Sequence, residues 1–280
     1  MKTAIEERRI NVSGFTTRYF SAGNEGLPLV LLHGNSASAL DWSWVLPKLG
    51  ATHQLYAPDF PGFGESAKPN REYSPEFFKQ FLVDFLDALG IERAVLVGNS
   101  LGGLVSLRFA LSHPEQVAAF VLVDSSGLGY AVIPALSQLN VPLYISWCQT
   151  PLGAQQRSWL RTSLLFAHPS KVPDVWLEEQ VRMAQMPGFL QATVSSLRAQ
   201  VNVFGQHQVL LDSLGQLQMP TLVVWGNDNL VLPKSQGQDA VSRLQQGQLA
   251  LIPDCGHLPH VERPELFTHE LSKFLAGIAF

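Results

Sequence analysis

Cysteine and charge are both scarce in this sequence. Two cysteines, Cys148 and Cys255, occur in 280 residues, which excludes a disulfide framework and leaves both as candidate buried thiols. Charged residues make up only 15% of the chain, with 19 Lys and Arg against 23 Asp and Glu. The resulting formal net charge of −4 provides no electrostatic footprint for nucleic acid or an anionic membrane surface. No uninterrupted apolar run reaches membrane-spanning length. The first residues, MKTAIEERRINVSG, place charges where a secretory leader needs an apolar stretch. The expectation is a soluble cytoplasmic protein whose partner is a small molecule, with oligomeric state left open.

Apolar residues are plentiful, 46% of the chain, enough for a sizeable core. They fall into short runs ended by turn residues. Ile5 to Val12 and Phe15 to Ser21 read as two strands joined at Ser13-Gly14. Leu29 to Leu32, Gln54 to Ala57, Ala94 to Val97 and Ala119 to Val123 read as strands buried on both faces. Helices fall between them: one opens at Ser74-Pro75-Glu76 and stops before Gly90, and another spans Leu101 to Leu111. This alternation calls for a parallel sheet with helices on both faces. It breaks after Gly129 and resumes at Thr221 to Trp225, followed by a helix near Lys234 to Leu244, a strand Leu249 to Ile252 and a helix Pro264 to Ala276. The division expected is an α/β core over 1–133 and 207–280, with a helical cap, 134–206, inserted between the two parts.

The stretch Gly98-Asn99-Ser100-Leu101-Gly102 lies between a strand and a helix. In that setting G-x-S-x-G is a sharp turn that exposes the serine hydroxyl, the flanking glycines letting the backbones pass. Ser100 is therefore the candidate nucleophile. Its base should be a histidine on a loop after a late strand, and His257 in Asp254-Cys255-Gly256-His257 meets that requirement; Gly256 is expected to permit a tight turn there. Of the other histidines, His33 is expected to shape its own loop, and His260 to pack or cap nearby. The backbone amides of Leu101 and of Asn35, in the loop HGNSAS, are the candidates for holding an oxyanion.

These motifs, HGNSAS, DFPGFGES, GNSLGG, WGNDNLVLP and CGHLPHVERPE, stand in an order that resembles the α/β-hydrolase superfamily over nearly the whole chain, in its serine-nucleophile, helical-cap branch. The resemblance implies an α/β-hydrolase fold: an eight-stranded, mostly parallel sheet flanked by helices, with the cap after strand six. It implies hydrolysis of an ester or amide, or of a carbon–carbon, epoxide or carbon–halogen bond, with no metal or organic cofactor. One position departs from the pattern. Many members carry W-G-x-x-D-x-x-x-P, and here Trp225 and Pro233 keep their spacing while the acid's position is Asn229. Asp228, one residue earlier, and Asp124, after strand six, stand as alternatives for the triad acid, with Asn229 itself a third. An amide can orient the imidazole, but it cannot stabilise the imidazolium as a carboxylate does.

A serine at position 100 sets the chain apart from the haloalkane dehalogenases and epoxide hydrolases, which carry an aspartate nucleophile. GNSLGG is similar to the G-N-S-M-G-G of meta-cleavage-product hydrolases, but Leu258 stands where they commonly have tryptophan, and Arg182 reads as a solvated helix charge. The reading is a carboxylesterase for small apolar esters that works through an acyl-enzyme. The alternatives are a carbon–carbon bond hydrolase of the meta-cleavage-product type and a weakly hydrolytic small-molecule-binding protein. Trp147, Trp159, Phe166 and Trp176 are the candidate lining of an apolar substrate pocket.

Overall fold

The structure, a computed structural model, describes residues 3–134 and 150–278. Eight strands form one sheet: β1 (Glu6–Val12), β2 (Phe15–Ala22), β3 (Pro28–Leu32), β4 (Gln54–Pro58), β5 (Ala94–Asn99), β6 (Val117–Val123), β7 (Thr221–Gly226) and β8 (Gly247–Ile252). Their spatial order is β1-β2-β4-β3-β5-β6-β7-β8. β2 runs antiparallel to both its neighbours, and every other pairing is parallel. The chain therefore has the α/β-hydrolase fold that its motif order implies.

Period-two alternation explains why the central strands read as continuous apolar runs. Val30, Leu32, Leu96, Phe120 and Leu122 enter the core on one face, and Leu29, Leu31, Val95, Val97, Val121 and Val123 enter the core on the other. The first face is covered by helices α1 (Pro75–Leu89) and α2 (Leu101–Ser112), the second by α7 (Pro264–Ala276). The ends of α1 follow its sequence signals. Ser74 Oγ accepts from Phe77 N at 3.2 Å, Pro75 occupies the first turn, and Gly90 closes the helix at φ 66°. That left-handed value suits glycine.

Between β6 and β7 the described chain carries α3 (Pro151–Leu165), α4 (Asp174–Ala184) and α5 (Phe189–Arg198). A short hairpin, Val201–Asn202 with Gly205–Gln206, follows them in a stretch that reads as helical in sequence. α6 (Ser235–Arg243) connects β7 to β8. No helix among the described residues is long and apolar enough to cross a membrane.

Candidate active site

Five loops leave the sheet at the carboxyl ends of parallel strands, the edge where open α/β sheets bind ligands. They follow β3, β5, β6, β7 and β8, and carry Asn35, Ser100, Asp124, Asn229 and His257 in turn. Ser100 sits at φ 51° and ψ −112°, a positive-φ conformation costly for a residue with a Cβ. Its backbone is fixed by Ser100 N donating to Val123 O at 3.0 Å, and by Gly103 N and Ser126 N donating to Ser100 O at 3.0 and 3.1 Å. The flanking glycines are a matter of room. A Cβ on Gly98 would stand 2.4 Å from the carbonyl of Gly102, and one on Gly102 2.2 Å from Leu32 O.

Ser100 and His257 line the same cavity, of about 250 Å³. Asn99, the residue before the serine, donates from Nδ2 to His257 O at 3.1 Å and to Val123 O at 3.1 Å, tying the two loops together. The Ser100 hydroxyl lies 3.4 Å from that of Ser126. Gly34, Asn35 and Ser36 complete this side of the cavity. Leu101 is the first residue of α2, so its N–H has no acceptor within the helix.

His257 is buried, and burial together with the Arg161 guanidinium pushes its pKa down to about 3. Its backbone N donates to Leu165 O, at the end of α3, at 2.6 Å. That contact accounts for Gly256. Its φ is not positive, and the need for glycine is one of room: a Cβ there would lie 2.4 Å from Leu165 O. Glu262 supports the same junction, accepting from Gly256 N at 2.7 Å and His168 N at 2.8 Å.

Asn229 is the side chain that meets the histidine, its Nδ2 lying 3.0 Å from His257 Nδ1. The same Nδ2 donates to Asp124 Oδ1 at 2.5 Å. Asp124 is wholly buried, accepts from Gly226 N at 3.1 Å, and has its pKa pushed well up by burial. The two aspartates therefore separate. Asp124 lies behind Asn229, one residue removed from the imidazole. Asp228 does not reach the site, because its backbone N is tied to Cys255 O and its exposed side chain lines a separate outer cleft.

The expected pocket aromatics need correction. Trp159 is 72% exposed, and α3 presents its other face to the cavity. Phe166 lies on the outer cleft beside Asp228. Trp176 is wholly buried in packing, edge-on to Phe166 with ring centroids 4.9 Å apart, its Nε1 donating to Asp41 Oδ1 at 2.8 Å. Trp147 lies outside the described residues.

The wall facing Ser100 is instead Leu160, Leu164 and Leu165 of α3 with Phe189 and Val194 of α5, and Arg157 and Arg161 beside them. Residues 157, 160, 161, 164 and 165 share one helix face at three- and four-residue spacing, a signal present in the sequence. Arg161 stacks over Trp176 at 5.5 Å and donates from Nη2 to Asn35 O at 3.2 Å. Its Nη1 is buried with no hydrogen-bond partner among the described residues, as is Gln180 Nε2, another residue of the cavity wall. Burial pushes the Arg161 pKa down to about 10. The guanidinium therefore stays charged at neutral pH. Arg182 points elsewhere, pairing at the surface with Glu65 and with Glu179.

Residues 29–270 match the Alpha/beta hydrolase family. The chain belongs to that family. This alpha/beta hydrolase is 30% identical to the 2-hydroxy-6-oxo-6-(2'-aminophenyl)hexa-2,4-dienoic acid hydrolase of Metapseudomonas resinovorans, over 98% of this chain and 92% of that one. It is 31% identical to the dihydrolipoyllysine-residue acetyltransferase component of the acetoin cleaving system of Pseudomonas putida, over 96% of this chain and 69% of that one. Among solved structures it resembles the meta-cleavage product hydrolase of Pseudomonas fluorescens IP01, with a TM-score of 0.82, 26% identity, and coverage of 96% and 97% of the two chains. At family level the chain is a serine hydrolase.

Proposed function

We propose that this alpha/beta hydrolase is a carboxylesterase for small, largely apolar esters, and that the segment 134–206 acts as its cap. The observation that carries the reading is the shared cavity: a serine held at a strained turn faces the same apolar space as a buried histidine from a distant loop. Ser100 Oγ attacks the ester carbonyl, and His257, with Nε2 unprotonated, takes the hydroxyl proton. The carbonyl oxygen gains the electron pair and is held by the backbone N–H groups of Leu101 and Asn35. The C–O bond to the alcohol breaks as His257 returns the proton to it. Water, activated by the same histidine, then releases the acid from Ser100.

Carbon–carbon cleavage of an acid-bearing diketone is the second reading, and the buried guanidinium favours it. Among the described residues, Arg161 Nη1 and Gln180 Nε2 are donors without acceptors on the cavity wall, and a carboxylate on the substrate would satisfy both. The named dienoic acid hydrolase acts on a substrate with such a group. Turnover of p-nitrophenyl butyrate by the wild type, lost in Ser100→Ala, supports the esterase. Background rates from both proteins, with decay of the yellow dienol form of a meta-cleavage product by the wild type, would replace it with the second reading.

A further inference from the structure

We propose that Asn229 fixes His257 as the Nε2–H tautomer, so that the resting imidazole presents a donor to the cavity where attack by Ser100 needs an acceptor. The inference rests on the serine-esterase reading and deepens it. It follows from counting hydrogens. Asn229 Oδ1 accepts from two backbone groups, Val231 N at 2.8 Å and Leu232 N at 3.1 Å. An amide turned the other way would set its NH2 against both donors, so the loop backbone selects one orientation.

The NH2 then has two hydrogens and two neighbours, Asp124 Oδ1 at 2.5 Å and His257 Nδ1 at 3.0 Å. Asp124 is itself anchored by Gly226 N, at 3.1 and 3.3 Å from its two oxygens. One amide hydrogen goes to the carboxyl oxygen. The other points at Nδ1, which must present its lone pair. A neutral imidazole with a bare Nδ1 carries its proton on Nε2. A carboxylate in this position would do the reverse, accepting from Nδ1–H and leaving Nε2 free.

Turnover therefore needs a proton rearrangement first. Nε2 gives its proton to water and Nδ1 takes one from water, after which Nδ1–H opposes an amide hydrogen of Asn229. Only that minor form accepts the Ser100 proton as the Oγ–C bond forms. Asn229 is thus a positioning residue that slows the reaction. In serine proteases the matching change from carboxylate to amide costs about 10⁴-fold.

The test needs a carboxylate beside His257 without two acids in one buried space. The exchange Asp124→Asn with Asn229→Asp keeps one acid and one amide, the new amide at 124 donating to the new carboxylate at 229. The imidazole protons are read by ¹⁵N NMR, with the His257 signals identified by their loss in His257→Gln. The wild type is expected to carry its proton on Nε2, and the exchanged protein on Nδ1. The turnover number on p-nitrophenyl butyrate is expected to rise about 100- to 10,000-fold in the exchanged protein.

A wild-type spectrum with the proton on Nδ1 overturns the proposal whether or not the variant folds. An unchanged rate in an exchanged protein whose proton has moved overturns the kinetic half. Adding Ser100→Ala to the exchanged protein separates the two levels. If the gained rate survives it, the serine reading fails while the tautomer assignment, read from the spectrum alone, stands.

Discussion

Ser100 and Asn229 show how one residue's neighbours decide its chemistry. Ser100 was legible because a strand, a serine between glycines and a helix follow one another in the chain. Its strain and the tight passing of Gly98 and Gly102 are the physical content of that pattern. The histidine's partner was not legible. Asn229, Asp228 and Asp124 are separated by a loop conformation set by backbone bonds from Asn227 N to Ile252 O and from Asp228 N to Cys255 O, which no local pattern announces. Arg161 belongs to the same class, since its charge could have faced solvent as that of Arg182 does. Arg161→Met should lower kcat/KM about 10- to 100-fold for an ester carrying a free carboxylate, the worth of a charge-assisted hydrogen bond. It should leave a neutral butyrate ester little changed. Steady-state kinetics on the matched pair checks this, and equal losses on both esters would reduce Arg161 to a packing role.

The elements themselves follow their sequence signals closely. The eight strands and the helices α1, α2, α6 and α7 lie within a few residues of the apolar runs and of caps such as Ser74 and Gly90. The stretch between β6 and β7 was harder. Trp159, Phe166 and Trp176 looked like pocket walls, but α3 turns Trp159 outward and Trp176 packs on Asp41. The same helix makes a contact with a direct consequence for the site, since Leu165 O receives the backbone N–H of His257 and lies where a Gly256 side chain would go. Gly256→Ala should push the end of α3 away from that loop and shift the imidazole. Displacements near 1 Å cost about 100-fold in rate. We expect a fall in turnover number of that order, with far-ultraviolet circular dichroism unchanged. Full activity in the variant would show that α3 and the histidine loop move independently.

Three histidines lie inside the molecule as neutral rings, and they link its packing to pH. Burial pushes His33 down to about 4, and His257 and His260 down to about 3. An unfolded histidine titrates near 6.5, so between that value and these lower ones the unfolded chain binds more protons. Stability from these rings is complete above pH 6.5 and is lost as the pH falls through that window. Asp41, pushed up to about 7 by burial, and Asp124 act in the opposite sense, favouring the folded state as they protonate. His33 has its partners, Phe60 N donating to Nε2 at 2.9 Å and Nδ1 lying 2.7 Å from Gly34 O, as its loop-shaping role requires. His260 has none among the described residues and stacks on Trp42 with centroids 4.0 Å apart. His260→Phe should keep the stack and remove the titration. Its stability relative to wild type should then rise by about 2 kcal/mol between pH 7 and pH 5. Urea unfolding at the two pH values measures it, and a pH-independent difference would mean that His260 titrates alike in both states. The arrangement of the sheet was readable from strand–helix alternation and motif order, because both faces of a parallel sheet must be buried. The buried polar network was not, because it depends on which loops meet.

Labelling with a fluorophosphonate, followed by peptide mass spectrometry, tests whether Ser100 is the reacting hydroxyl. Ser126, whose hydroxyl lies only 3.4 Å away, provides the internal control. The adduct is expected on Ser100 alone, absent from Ser100→Ala and His257→Gln, and retained in Ser126→Ala. An adduct on Ser126 or on any other residue, or none even in the protein exchanged at positions 124 and 229, would contradict the account.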